Sequence, residues 1–256
     1  MVKQPRQRIF LLLVYLHKIL EQRKCERADS WDDDPWNPLL DEIERAAEHG
    51  ILLPFRWNSN VVDALIRNRE ATRFDGRPIA TLVYNQDDWN GAFVEHDKII
   101  EWLGVHDYCV MFYESSTEDE VISALHNATK RSEESRTQPA KVIILGANSR
   151  RTLMNFGTSE GEEYDLDLTD FEKLLAAGVA ATLEQGGQLI LIACSAGAGQ
   201  DKVENIVNML RRVFAQAKEK GIWSAQVPTN IRLIVFDPDT HEVTEVRFDD
   251  ERIYQP

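Results

Sequence analysis

This chain has no long apolar run, no cysteine pairs at framework spacing and no surplus of positive charge, and each absence removes a class of function. Its three cysteines, Cys25, Cys109 and Cys194, are odd in number and widely spaced over 256 residues, which excludes a disulfide framework and a cysteine-rich zinc site. A reducing cytoplasm is the compartment such usage implies. The nearest thing to a targeting segment is the apolar stretch 9–16 behind Lys3, Arg6 and Arg8. It is too short to span a bilayer and runs into His17 and Lys18 without a small-residue cleavage site, so it reads as a helix packing on a core. A formal net charge of -14 repels phosphate backbones and anionic lipid alike, so neither nucleic acid nor a membrane is expected as a partner. Basic peptides or proteins are the easier partners.

Cofactor signatures are missing as well. The small-residue stretch Ala196-Gly197-Ala198-Gly199 lacks the Walker lysine and the dinucleotide fingerprint. No loop has the regular acidic spacing of a calcium motif, and there is neither a Cys-x-x-Cys pair nor a Gly-x-Ser-x-Gly elbow. No metal and no cofactor are expected.

What the chain does have, from Ala80 onward, is an alternation of short apolar runs with helical periodicity, the pattern of repeated βα units around a mainly parallel sheet. Candidate strands cover 80–84, 108–113, 141–145, 188–193 and 231–236. Thr117 with Glu120, and Thr169 with Glu172, have the capping-box form, and each precedes an apolar stripe. The second stripe, Phe171, Leu174, Leu175, Val179 and Leu183, predicts one helix closed by Gly186 and Gly187. Val203, Ile206, Val207, Leu210, Val213, Phe214 and Ala217 predict another, beginning near Asp201. Residues 237–240 predict a turn between strands at 231–236 and 243–248. The first 75 residues differ in character: helices at 8–23, 39–49 and 61–68, and an acidic Trp/Pro loop at 29–38. The chain therefore divides into a helical N-terminal region, 1–75, and an α/β domain, 76–256. The first region packs on the second or regulates it.

Chemistry in such a domain gathers where parallel strands end. The loops 85–93, 115–117, 146–157 and 194–199 would converge there, bringing Asn148 and Cys194 face to face. Cys194 closes an apolar strand and enters a turn of small residues, which lets the backbone approach a substrate. Cys109 lies inside an apolar run and reads as core, and Cys25 as a bystander in a polar helix end. The segment 131–139 reads as an ordinary exposed connection.

Several short motifs recur together: Asp88-Trp89-Asn90-Gly91-Ala92-Phe93 after the first strand, 115–121 after the second, the Gly146 turn after the third, Phe156-Gly157, and Ala193-Cys194-Ser195-Ala196-Gly197 after the fourth. Over roughly 80–210 the chain resembles the caspase-like cysteine peptidases, the broad group of caspases, metacaspases and bacterial relatives. The resemblance implies a three-layer α/β fold and a thiol endopeptidase. In that family a histidine closes the third strand, a glycine after it gives a backbone amide to the oxyanion, and the cysteine closing the fourth strand is the nucleophile. Carried across, Cys194 is the nucleophile, Asn148 stands at the histidine position, and Ser149 stands at the glycine position as oxyanion amide donor. The residues 1–75 lie outside the resemblance.

Asparagine cannot exchange a proton near neutral pH. Loss of general acid/base catalysis costs on the order of 10² to 10⁴ in rate, so the chain is expected to be inactive or nearly so as a peptidase. Asn148 reads either as a replacement in an enzyme or as the natural state of a pseudoprotease that binds a peptide or protein without cutting it. No other histidine is expected at the cysteine: His96 and His126 fall within helices, His106 precedes the second strand, His241 opens a late strand, and His17 and His49 belong to the N-terminal region. Ser195, Asp87, Asp88, Arg150 and Arg151 are the expected substrate contacts. The acidic stretch 159–167 and the Asp87-Asp88 pair favour a basic residue on the amino side of the scissile bond, while Arg150 and Arg151 would suit an acidic one.

Overall fold

The computed structural model describes residues 37–49, 51, 59–70, 77–85, 96–129, 138–157, 161–227, 231–249 and 253–255. Its centre is a six-stranded sheet built from the expected apolar runs: β1 (Ile79–Asn85), β2 (Cys109–Ser115), β3 (Ala140–Gly146), β7 (Leu183–Ile192), β8 (Ile222–Ala225) and β11 (Ile253–Tyr254). The spatial order is β11-β8-β7-β3-β1-β2. The five strands from β2 to β8 run parallel, and β11 adds antiparallel to β8. Strands of a parallel sheet are buried on both sides, which is why these segments read as unbroken apolar runs. β1 is buried along its whole length.

Alternation along the strands sorts the core. Val83, Ile143, Leu145, Leu189, Leu191 and Ile222 project to one side, where they meet α4 (Glu118–Ala128), α5 (Phe171–Ala176) and α6 (Ile206–Val213). The chain goes from β1 through α3 (His96–Val105) to β2, then skips back across β1 to β3. With right-handed crossovers that reversal puts α3 on the opposite face, where its Ile99, Ile100 and Leu103 are buried. This is a mixed α/β architecture compatible with three layers. A second, three-stranded antiparallel sheet, β4 (Asn148–Arg150), β5 (Leu153–Asn155) and β6 (Asp165–Asp167), grows from the end of β3.

Several expectations need correction. The stripe from Phe171 to Leu183 is not one helix. α5 stops at Ala176, Gly178 turns left-handed at φ 69°, a short 3₁₀ turn follows at Val179–Thr182, and β7 already begins at Leu183. Gly186 and Gly187 therefore lie inside a strand, and Gly186, at φ 76°, accompanies the register shift between Ala140 and Val142. The capping box sits two residues earlier than expected, on Asp167 and Asp170 rather than Thr169 and Glu172. At α4 the Thr117 side chain does accept from Glu120 N–H at 3.2 Å, but the Glu120 carboxylate turns to the amide and hydroxyl of Ser116. The helix after Cys194 starts at Ile206, not near Asp201, because Asn205 caps it. The strand 231–236 is not part of the parallel sheet: β9 (Ile231–Phe236) pairs with β10 (Val243–Phe248) as a separate antiparallel hairpin.

The chain divides into two compact units, Met1–Ile66 and Arg67–Pro256. In the first, α1 (Asn37–Glu48) opens two residues inside the expected 29–38 loop. Ala46 of α1 packs with Val62 and Ile66 of α2 (Ser59–Glu70) over Ile51. Arg45 of α1 bridges Glu42 and Asp63, each at 2.6 Å. The expected helix at 8–23 lies outside the described residues.

Candidate functional site

β3 and β7 are neighbours, and their ladder ends where the two candidate motifs begin. Gly146 pairs with Ile192, and one further rung follows, from Ala147 N–H to the Ile192 carbonyl at 3.3 Å. In a parallel ladder the next rung would run from the Cys194 amide to the Ala147 carbonyl. It is not made, and the Cys194 N–H has no acceptor among the described residues. The two chains part at this point, β3 into a hairpin and β7 into a turn.

The hairpin pairs Asn148 with Asn155, Ser149 with Met154 and Arg150 with Leu153, across a two-residue turn at Arg151 and Thr152. Fully buried Met154 and Phe156 root it in the core. Residues flanking a two-residue turn exchange both backbone bonds, and the next pair exchanges none. Ser149 is therefore at a non-bonded position, and its N–H points away from β5. Its hydroxyl donates to the carbonyl of Cys194. Asn148 is half-buried, with Nδ2 shielded from solvent.

Cys194 is a free, half-buried cysteine at the head of a turn that departs from ordinary backbone geometry. Ser195 has φ 60°, Gly199 φ 83° and Gln200 φ 53°. A left-handed non-glycine residue costs about 1 kcal/mol or more and persists only where its surroundings fix it. Here they do. Ala198 N–H returns to the Ser195 carbonyl at 3.0 Å and Gly197 N–H reaches the Ala225 carbonyl of β8 at 3.0 Å. Asn205, with no exposed surface, donates to the Gln200 carbonyl at 2.7 Å while its own oxygen caps α6 at Asn208 N–H, 2.8 Å. The first amide of α6, Ile206 N–H, donates to the Arg151 carbonyl at 2.8 Å and so ties the helix to the hairpin tip.

The structure thus brings Cys194, Ser149, Asn148 and Ser195 to one place at the carboxyl edge of the sheet. Arg150 and Arg151 are exposed on the hairpin above it. Asp87 and Asp88 lie outside the described residues. Two carboxylates of the acidic stretch are used locally, Asp165 accepting from Asn155 Nδ2 at 2.6 Å and Asp167 from Thr169 N–H at 2.6 Å, while Glu163 is exposed. Three of the histidines stand elsewhere. His126 Nε2 bonds the Ala177 carbonyl at 2.8 Å, and His241 Nδ1 bonds the His106 carbonyl at 3.0 Å, at the amino edge. His96 is the first residue of α3, within a helix as expected.

Two participants were missed on sequence. Asn205, three residues before Asn208 and directly before an apolar stripe, has the form of an N-cap that could have been read. Glu118 gave no signal. Its carboxylate is buried at the start of α4 beside Lys173 and Asp170, and burial raises its pKa above the ordinary carboxylate value. The Glu118 and Asp119 carboxylates in turn push the Lys173 ammonium up to about 12. A groove of about 930 Å³ along α6 does not include Cys194 in its lining. Among the described residues no three His, Cys, Asp or Glu side chains come together as metal ligands would, and no helix is long and apolar enough to cross a membrane.

Neither a protein-family model nor a curated protein matches the chain.

Proposed function

We propose that this chain is a cysteine endopeptidase of caspase-like type, with Cys194 as nucleophile and Asn148 in place of the general acid/base, so that it is inactive or nearly so as it stands. The observation that supports the reading is the bond from the Ser149 hydroxyl to the Cys194 carbonyl, which joins the ends of the third and fourth parallel strands. In this reading the Cys194 sulfur attacks the carbonyl carbon of a peptide or protein substrate. The oxygen that gains the electron pair is held by the amides of Cys194 and Ser149. A histidine at position 148 would take the thiol proton and return it to the leaving amine, and asparagine does neither. A basic residue before the cut remains the expected preference, resting on Asp87, Asp88 and the 159–167 stretch, while Arg150 and Arg151 argue for an acidic one.

The test uses the chain itself, Asn148→His, and Asn148→His with Cys194→Ala against fluorogenic peptides varied at the residue before the cut. Asn148→His should cleave about 10²-fold faster or more, and the added Cys194→Ala should abolish the gain. Silence from all three sinks the peptidase reading.

A second reading, a pseudoprotease that binds a peptide or partner protein without cutting, is favoured by the histidines. Those at 126 and 241 are engaged away from the thiol. On this reading Cys194→Ala leaves partner affinity unchanged. A loss of affinity in that variant would count against it.

A further inference from the structure

Two backbone donors flank the point where β3 and β7 part. One is the Cys194 amide, left without its ladder partner; the other is the Ser149 amide, turned outward by the hairpin register. They belong to different strands, and a pair of donors serves one oxygen only if their separation is fixed to a few tenths of an ångström. The ladder cannot fix it, because its last rung is at Ala147. What spans the gap is a side chain: the Ser149 hydroxyl donating to the Cys194 carbonyl.

We infer that Ser149 is a positioning residue whose hydroxyl acts as a strut, holding its own amide and that of Cys194 at the spacing needed to share one developing oxyanion. The inference rests on the reading of Cys194 as a nucleophile toward carbonyl carbon. The far side of the turn is already anchored, by Asn205 on the Gln200 carbonyl and by Gly197 N–H on β8. The left-handed Ser195 is the link between anchor and strut. Among the described residues no other group bonds the Cys194 carbonyl, so without the hydroxyl it is free to rotate with the peptide that follows it.

The test compares two reagents on the same thiol. 4-Nitrophenyl acetate acylates it: the sulfur–carbon bond forms, the ester carbon–oxygen bond breaks, 4-nitrophenolate leaves, the thiol proton goes to solvent, and the carbonyl oxygen carries charge in the transition state. Iodoacetamide alkylates it with loss of iodide and develops no oxyanion. Both rates are taken on the full chain, with Cys194→Ala as the blank and alkylation at Cys194 followed by peptide mass. Removing an oxyanion donor outright costs about 10²- to 10³-fold, and letting one drift should cost roughly tenfold. Ser149→Ala should therefore slow acylation roughly tenfold while leaving alkylation within about twofold, and Ser149→Thr, which keeps a hydroxyl, should restore acylation. Equal changes in both rates, no change in either, or failure of threonine to rescue would overturn the strut. The ratio is read without any peptide being cut. A silent peptide screen with a shifted ratio removes the peptidase reading and keeps the strut, and cleavage by Asn148→His with an unshifted ratio does the reverse.

Discussion

The two edges of the central sheet are built on opposite plans. At the amino edge polar groups reach partners far along the chain: the Tyr108 hydroxyl on the His241 carbonyl, His241 on the carbonyl of His106, and Gln188 both donating to and accepting from the Val243 backbone at 2.6 Å. Aromatic rings close the gaps, His106 lying 4.6 Å and Tyr108 5.6 Å from Phe236 between centroids. At the carboxyl edge the ladder stops short and the Cys194 amide has no acceptor among the described residues; left-handed residues occur at both edges, Ser195 here and Asp107, Lys220 and His241 at the other. Strain and unsatisfied donors persist only where surrounding structure fixes them. Left-handed backbone alone therefore does not single out the site; the open ladder position at the Cys194 amide does. The contrast also shows why two of the histidines do not serve the cysteine: the stabilising edge has used them.

The sharpest way to break this contrast is to remove the anchor of the strained edge. Asn205→Ala loses a helix cap worth about 1 kcal/mol and one of the two donors on the Gln200 carbonyl, Asn208 Nδ2 keeping the other at 2.9 Å, a further cost of about 1 kcal/mol. Urea denaturation should register a loss of about 2 kcal/mol, with faster labelling of Cys194 by iodoacetamide. A stability loss with unchanged labelling would mean that Asn205 serves the helix alone.

The matching experiment at the amino edge is Gln188→Ala, which strands the N–H and carbonyl of Val243. A loss of about 2 kcal/mol in urea is expected, with labelling of Cys194 unchanged because the two edges share no hydrogen bond among the described residues. A changed rate would show the edges to be coupled. Next in size is Lys173→Met, beside buried Glu118 at the carboxyl edge. Lys173 is 46% exposed, so its ion pair is discounted to about 1 kcal/mol. Glu118 has its folded pKa raised by burial. Its contribution to stability is accordingly full below the ordinary carboxylate value and is lost as pH rises through the folded value. Without the ammonium that value rises further, so the thermal midpoint of Lys173→Met should fall below the parent's near neutral pH and rejoin it toward about pH 4. A deficit that does not depend on pH would exclude Glu118 as the cause. The smallest effect is at Ser195→Gly. Relief of the left-handed strain and the extra chain entropy of glycine nearly offset each other, leaving a change under about 1 kcal/mol in thermal or urea unfolding. A loss well above that would show the serine side chain to be holding the turn.

Much of the sheet was legible in the sequence because parallel strands, buried on both faces, write themselves as continuous apolar runs. β1 and β3 extend their expected ranges by one residue at each end, and β2 starts one residue later and ends two later than expected. The three short strands β4 to β6 were not legible, since three residues carry no period. The run from Phe171 to Leu183 misled because Leu174, Val179 and Leu183 do share one face of the core, yet they reach it from a helix, a 3₁₀ turn and a strand in succession. Only the left-handed Gly178 separates these elements. At the site, the position of Cys194 at a strand end followed from the apolar run before it. The Ser149 hydroxyl bond and the buried role of Asn205 depend on which way loops turn after the strands end, and local sequence does not record that.

The amino edge also sets an order of events. The partners of Gln188 lie 55 residues further along, and Tyr108 waits for a carbonyl 133 residues downstream. Contacts of such separation form late and slowly. A chain still emerging from the ribosome could align β1, β2, β3 and β7, yet would carry a buried glutamine with nothing to bond until residue 243 had been made. Closure of the amino edge is thus timed by the arrival of the β9–β10 hairpin, and the nascent chain carries that edge open until then.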